Sequence, residues 1–167
     1  LKTERYTYDV ITPGAAVGIL EAIFWHPGLH YEIDRVYVLN PIQFTSIRRN
    51  EVKSKMGGSG IKSAIKKEEF GTLYLNTKAE IVQRAATVLK NVHYVLEAHF
   101  DIGPEANQTD NAGKFQDILK RRARKGQCYH QPYFGVREFP VKFRLWEGGE
   151  IVTAYEGQEK DLGIMLH

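Results

Sequence analysis

The sequence predicts an α+β fold, and three observations lead to that prediction. An apolar stripe at helical spacing follows Thr12-Pro13, and a second amphipathic segment ends at Gly126. Between them lie β-rich runs at Tyr31–Leu39 and within Thr87–Ile102. In chain order the elements are helix, strand, hairpin, strand, helix and strand. This order is that of a βαββαβ ferredoxin-like unit whose first strand is missing.

The first helix is predicted to begin at Pro13 and to reach about Trp25. Thr12 can cap it, and proline is tolerated at the first helical position because its missing N–H would be unpaired there in any case. Pro27-Gly28 then ends the helix, since the residue before a proline avoids helical geometry. The strand at Tyr31–Leu39 follows.

A basic segment runs from Phe44 to about Lys78 and contains Gly57-Gly58-Ser59-Gly60. It predicts a long mobile hairpin or loop, which is unusual in a compact domain. The next strand, inside Thr87–Ile102, alternates between two faces.

The second helix is predicted to begin after Asp110 or Asn111, either of which can cap it, and to end at Gly126. Further strands are expected at residues 136–146, 151–155 and 162–166. The predicted organisation is one domain over residues 1–146, with the start of a small C-terminal β extension over residues 147–167. A chain of 167 residues has room for one such domain with a real core.

Positive charge is concentrated in two stretches. Of the 23 Lys and Arg residues, seven lie in Arg48–Lys67 and six in Lys114–Lys125, although the net charge is only +3. Clusters of this kind bind polyanions because each phosphate contact releases counterions. The alternative is a pair of solvated faces, and cations near a helix C-terminus also interact favourably with the helix dipole.

Several classes of site and location are disfavoured. Cys128 is the single cysteine, which excludes an intrachain disulfide and fits a cytoplasmic protein. No apolar run is long enough to cross a membrane. The pair His26 and His30 has Pro27-Gly28 between its members, and His93 and His99 are too far apart to chelate one ion alone. We expect neither a metal nor a cofactor.

Basic and aromatic side chains alternate at the end of the second helix and beyond it. Arg121, Arg124 and Lys125 can contact phosphates, and Tyr129 and Tyr133 offer rings on which unpaired bases could stack. This combination suits single-stranded nucleic acid better than a duplex. A helix end followed by an aromatic core strand is the structural alternative.

Several segments together resemble the CRISPR-associated Cas-five family, subtype I-C (Dvulg). They are Tyr8–Pro13, Gly18–Ile23, Leu39–Ile42, Ser46–Glu51, Gln83–Ala85, Arg121–Gln131 and Phe134–Phe139. The resemblance spans nearly the whole chain. It implies that a first strand precedes Leu1 and that a further segment follows His167, so the chain resembles a fragment of such a protein.

The resemblance implies an RNA-recognition-like core of the RAMP superfamily with a small β extension. The implied activity is antiviral: a metal-independent endoribonuclease that cuts CRISPR precursor RNA at the repeat hairpin and leaves a 2′,3′-cyclic phosphate. The protein would keep the 5′ handle as a subunit of the type I-C interference complex (Cascade). The alternative is a non-catalytic cap that binds the handle, with target double-stranded DNA as a further candidate partner.

Relatives provide a tyrosine near the end of the first helix and a Lys-His pair at the start of the second. Here these positions are Phe24, Lys114 and Phe115, so only the lysine is retained. Proton transfer has either been lost or moved to a neighbour, and His26 is the preferred neighbour. Other candidates are His130, Tyr129 and Tyr8. The residues expected to bind RNA are Arg48, Arg49, Arg121, Arg122, Arg124, Lys125, Tyr129 and Arg137.

Overall fold

A computed structural model describes residues 5–55, 57–71 and 73–165. Their helices and strands, in chain order, are β1 (Arg5–Tyr6), α1 (Pro13–Ile23), β2 (Leu29–Val38), β3 (Phe44–Val52), α2 (Gly58–Lys67), β4 (Ile81–Leu89), β5 (Tyr94–Ile102) and α3 (Ala112–Lys125). The chain divides into two compact units. The first unit consists of the chain before Tyr8 together with Phe44–Lys90, and the second consists of Tyr8–Gln43 and the chain from Asn91 on.

The first unit contains a three-stranded sheet in the order β1-β4-β3. β3 and β4 pair antiparallel, with Phe44 opposite Leu89 and Val52 opposite Ile81, and the short β1 pairs parallel to β4. The connection between β3 and β4 contains α2. The sequence predicts a mobile hairpin or loop for about residues 44–78. β3 pairs antiparallel with β4, as an arm of a hairpin does, but a ten-residue helix lies where a loop is expected.

In the second unit β2 and β5 pair antiparallel, with Leu29 opposite Ile102 and Val38 opposite Tyr94. α1 precedes β2 and α3 follows β5, as the predicted element order requires. The core gathers apolar side chains from both helices and from the start of β2, with Val141 after α3. Its members are Ile19, Ile23, Phe24, Leu29, Tyr31, Phe115 and Val141.

Both predicted helices are confirmed, and so are their caps. The Thr12 hydroxyl accepts a hydrogen bond from the backbone N–H of Ala15, and the Asn111 side chain accepts one from that of Lys114. α3 ends at Gly126, whose φ of +64° lies in the left-handed region that glycine adopts without a steric penalty. Local capping chemistry therefore decides where these helices begin and where α3 ends.

The strands predicted after α3 are wrong for the residues that the structure describes. Residues 136–146 form no strand, and the bridge between Tyr133 and Pro140 is the single β pairing found there. Residues 151–155 and 162–165 are irregular as well, and Leu166 lies outside the described residues. A β-rich run becomes a strand only where a neighbouring strand pairs with it, and Pro140 has no N–H to give. The β extension therefore has no strand between residues 147 and 165, and its boundary at residue 147 stays a prediction.

Candidate active site

The candidate site lies in the second unit, where the chain leaving α1 meets the start of α3. Phe115, in the first turn of α3, is fully buried. Its ring centroid lies 5.9 Å from that of Phe24 and 5.0 Å from that of His26. Apolar packing on Phe115 thus fixes the end of α1 against α3 and brings the His26 ring to the same place.

Asp110 connects the two catalytic candidates that the sequence named first. Its Oδ1 accepts a hydrogen bond from Lys114 Nζ at 2.7 Å, and its Oδ2 lies 3.6 Å from His26 Nδ1. The i, i+4 spacing places Lys114 one turn after Asp110. The structure therefore joins His26 and Lys114 through one carboxylate.

The Asp110 carboxylate is held in place from the backbone as well. Its side chain is only 1% exposed, and its Oδ2 accepts the N–H of Asn107 at 2.9 Å. The hydrogen bond from Lys114 lowers the pKa of the Asp110 carboxyl, and the Asn107 N–H acts in the same direction. Asp110 is consequently a fixed negative charge between a lysine and a histidine.

The surroundings of His26 Nδ1 determine what the ring can do. This nitrogen lies 2.9 Å from the carbonyl oxygen of Pro27 and 3.6 Å from Asp110 Oδ2, and both of these oxygens are acceptors. Two acceptors favour a proton on Nδ1, so in the neutral ring Nε2 carries the lone pair. With 27% of its side chain exposed, His26 is accessible and can serve as a general base through Nε2.

The two family positions that read phenylalanine are core positions in this chain. Phe24 is 6% exposed and Phe115 is fully buried. Their rings pack edge to face, and neither has a proton to transfer. Any proton transfer at this site must therefore come from other side chains.

The backbone of Tyr129 and His130 lies beside the last turn of α1. Their backbone N–H groups both donate to the carbonyl of Ala22, at 2.9 and 3.2 Å. Both side chains are exposed, and Tyr129 is 80% exposed. Among the described residues, no hydrogen bond, ion pair or ring contact joins His130 to His26 or Lys114. The structure thus brings two of the three catalytic candidates together, and the role of His130 stays a prediction.

The arginines at the end of α3 are not equivalent. Arg122 Nη1 donates to the carbonyl of Ile23 at 2.7 Å, and its guanidinium lies 5.1 Å from the centre of the Phe24 ring. Arg124 Nε is paired with Glu147 at 2.7 Å. Arg121 and Lys125 are exposed. Arg122 is therefore committed to the end of α1, and the other three present their charge at the surface.

The remaining predicted RNA contacts are spread over the molecule. Arg48 and Arg49 lie on β3 of the first unit, where Arg48 is exposed and Arg49 is half-buried. Arg137 is exposed in the irregular segment after α3, and Tyr8, before α1, is 42% exposed. Their contribution to RNA binding stays a prediction.

The sequence indicates Asp110 only as a possible helix cap and gives no sign of its position beside His26. Asn111 is the cap, and Asp110 precedes it. The signal that could have revealed its pairing with Lys114 is the i, i+4 spacing, which is that of an ion pair on one helical face. The distance to His26, by contrast, depends on tertiary packing around Phe115.

Comparison with known proteins places this chain in a family. The whole chain, residues 1–167, matches the family described as CRISPR-associated protein (Cas_Cas5). The chain belongs to the Cas5d family. It is 46% identical over 171 residues to the "CRISPR pre-crRNA endoribonuclease Cas5d" of Mannheimia succiniciproducens, covering 100% of this chain and 76% of that protein. The protein of the same name from Thermus thermophilus is 39% identical over 165 residues, covering 99% of this chain and 64% of that protein.

Solved structures show the same fold. A "CRISPR-associated Protein" superposes with a TM-score of 0.67 at 24% identity, covering 98% of this chain and 70% of that one. A functionally uncharacterized protein from Streptococcus mutans superposes with a TM-score of 0.63 at 24% identity, covering 98% and 73%. The predicted family and the α+β fold class are confirmed. Within the described part of this Cas5d chain, no three His, Cys, Asp or Glu side chains are grouped as a metal site, and no helix is long and apolar enough to cross a membrane.

Proposed function

We propose that this chain is a pre-crRNA endoribonuclease in which His26 is the general base and Lys114 stabilises the transition state. The names of the two Cas5d relatives support the substrate, CRISPR precursor RNA. The observation that carries the assignment of residues is the His26–Asp110–Lys114 arrangement, because it supplies a base and a cation at one accessible position.

The proposed reaction uses the RNA's own 2′-hydroxyl. His26 Nε2 takes the 2′-hydroxyl proton while the 2′-oxygen attacks the adjacent phosphorus. The bond from phosphorus to the 5′-oxygen breaks, which leaves a 2′,3′-cyclic phosphate on one product. The 5′-oxygen of the other product leaves as a hydroxyl, taking its proton from solvent. The Lys114 ammonium neutralises the negative charge that builds up on the phosphorane.

Asp110 acts through its neighbours and is therefore a positioning residue. Its carboxylate faces His26 Nδ1 and so favours the tautomer with a base at Nε2. It also holds Lys114 Nζ at 2.7 Å, which restricts the lysine to one side of the site. Replacing Asp110 should accordingly reduce kcat much more than it changes KM.

The test uses the full-length protein and its repeat RNA in EDTA, so that the metal-independent route is the one measured. His26→Ala should lower the single-turnover cleavage rate by about 10²- to 10⁴-fold, the usual contribution of general acid–base catalysis. Lys114→Ala should also lower it. His30→Ala is the matched control because His30 is an exposed histidine four residues away that contacts Glu105 instead.

The outcomes separate the chemistry from RNA binding. Cleavage by His26→Ala at the wild-type rate would remove His26 as the base. An equal loss in His30→Ala would indicate damage to the fold and not to the chemistry. If the wild-type protein binds the RNA but does not cleave it, the nuclease proposal is refuted and the second candidate function remains.

That second candidate is a non-catalytic cap that binds the 5′ handle in the type I-C interference complex. The burial of Phe24 and Phe115 favours it, since neither of these family positions can reach an RNA backbone. The exposed Tyr129 and Arg121 suit binding without chemistry. Other complex subunits and target double-stranded DNA are the partners proposed for either candidate. Co-purification with the remaining subunits, with and without crRNA, tests that membership.

A further inference from the structure

A concave surface lies in the second unit, next to the last turns of α3. It is a groove of about 480 Å³, within the range of about 300–1,000 Å³ that is typical of ligand sites. We call it the Trp146 groove, and the residues that line it are Arg124, Arg144, Leu145, Trp146, Glu147 and Gly148. None of them belongs to the His26–Asp110–Lys114 arrangement.

The geometry points to a subsite for one unpaired nucleotide of RNA, with guanine as the preferred base. This inference rests on the proposed function, because it takes the RNA substrate as given. It adds a specificity site away from the scissile bond.

The chemistry of the lining matches the three parts of a nucleotide. Trp146 is 38% exposed and offers an indole face on which a base can stack. Arg124 and Arg144 supply guanidinium groups for a phosphate. Arg144 lies outside α3, so the helix dipole does not account for its charge as it does for Arg124.

Glu147 is the residue that would make the subsite prefer guanine over other bases. Its carboxylate accepts the Arg124 Nε–H at 2.7 Å, and 61% of its side chain is exposed. A carboxylate has only acceptors, so it prefers an edge with neighbouring N–H donors. Guanine presents two such donors, at N1 and N2, on the Watson–Crick edge that single-stranded RNA leaves open.

The present ion pair does not block this use. The Arg124 and Glu147 side chains are 53% and 61% exposed, and exposed pairs of this kind contribute little to stability. Gly148, with φ at +111°, has no atom near the place where a Cβ would lie, so the groove is open on that side. A base can therefore enter while Arg124 keeps one contact to the Glu147 carboxylate or turns to a phosphate.

The chain provides its own reporter, because it has two tryptophans. In Trp25→Phe, Trp146 is the only one left, and a base that stacks on it should quench its fluorescence. In Trp146→Phe, the remaining Trp25 is the matched control. Each variant is titrated with unstructured uridine RNAs of about ten nucleotides, with or without one central guanosine, a length that suits one single-strand site.

We expect quenching in Trp25→Phe and about tenfold tighter binding of the RNA that carries guanosine. Trp146→Leu should weaken binding of both RNAs by roughly 5- to 150-fold, the range for loss of one stacked base. Glu147→Gln should abolish the preference for guanosine and leave uridine RNA unaffected. Arg144→Gln provides a second test should Trp146→Leu unfold. It should flatten the salt dependence by about 0.7, the slope of one single-strand phosphate contact.

RNA binding, measured by anisotropy, with unchanged Trp146 fluorescence and unchanged affinity in Arg144→Gln would overturn the subsite. Equal quenching by guanosine monophosphate alone at the same concentration would reassign the groove to a free nucleotide and would also overturn it. Cleavage of repeat RNA is measured in parallel. Cleavage without quenching refutes the groove alone, and quenching without cleavage refutes the nuclease alone.

Discussion

Arg121 and Arg122 are neighbours in α3 that the sequence predicted as equal RNA contacts, and the structure gives them different surroundings. Arg122 donates to the Ile23 carbonyl and covers the Phe24 ring, whereas Arg121 is exposed. We predict that Arg122→Ala lowers stability and leaves RNA binding nearly unchanged. Arg121→Ala should do the reverse.

The size of the Arg122 effect follows from its two contacts. A hydrogen bond from a charged donor contributes about 1.5–3 kcal/mol, and a cation–π contact about 0.5–1 kcal/mol at an exposed site. The free energy of unfolding should therefore fall by roughly 2–4 kcal/mol. At about 2–4 °C per kcal/mol for a chain of this size, Tm should fall by about 4–16 °C. Arg122→Lys should recover only part of this loss, because lysine lacks the planar group that stacks on the ring.

Differential scanning calorimetry measures the first effect, and RNA affinity at several salt concentrations measures the second. Arg121→Ala should keep the wild-type Tm within about 2 °C, since exposed substitutions usually change stability by less than about 0.5 kcal/mol. It should also flatten the salt slope by about 0.7. A wild-type Tm in Arg122→Ala, combined with a flattened salt slope, would refute this reasoning and return Arg122 to the RNA interface.

Three further predictions concern stability. Thr12→Ala removes the cap of α1 and should cost about 1 kcal/mol in urea unfolding, and an unchanged midpoint would show that the cap is dispensable. Gly28→Ala should cost more than about 1 kcal/mol by thermal unfolding, because φ is +77° and the new Cβ would overlap the backbone of Ala106. A wild-type Tm would contradict this. The hydrogen bond from Lys114 lowers the pKa of the Asp110 carboxyl in the folded protein below its ordinary value of 3.8. The ionised carboxylate therefore stabilises the fold above pH 3.8, and this stabilisation is lost as the pH falls through the lowered pKa of the folded protein. Asp110→Asn should thus be destabilised at neutral pH and approach the wild type in acid, and a pH-independent difference would refute the linkage.

Local chemistry made the helices predictable. Thr12-Pro13 begins α1, Asn111 begins α3 and Gly126 ends it, and each acts through backbone groups within one turn. The strand at Leu29–Val38 was equally readable from its β-rich composition. These features depend on neighbours in sequence, so one sequence suffices to find them.

What the sequence could not supply depends on contacts between distant residues. The strand predicted at residues 136–146 pairs only through the single bridge of Pro140 to Tyr133, although its composition is β-rich. In the basic segment the glycines suggested a loop, yet Gly58 and Gly60 lie within α2. That helix begins at Gly58 without a side-chain cap, so the sequence contains no capping residue that would predict its start.

The candidate site was half predictable for the same reason. The family resemblance points to Lys114, and His26 is the histidine nearest in sequence to the family position that reads Phe24. From the sequence Asp110 is only a possible cap, because its approach to His26 depends on tertiary packing. Phe115, in α3, must pack against Phe24 and His26 at the end of α1. The structural commitment of Arg122 also involves a carbonyl 99 positions earlier in the chain.

The edge-to-face pair of Phe24 and Phe115 constrains how the tyrosine and histidine of its relatives could be introduced into this chain. Restoring a tyrosine at Phe24 alone or a histidine at Phe115 alone would place a polar group against the other phenylalanine, with its hydrogen bond unmade in a buried site. Each single replacement therefore costs stability unless a change at the second position supplies the hydrogen-bond partner. A double substitution at Phe24 and Phe115 is therefore favoured over two successive single substitutions.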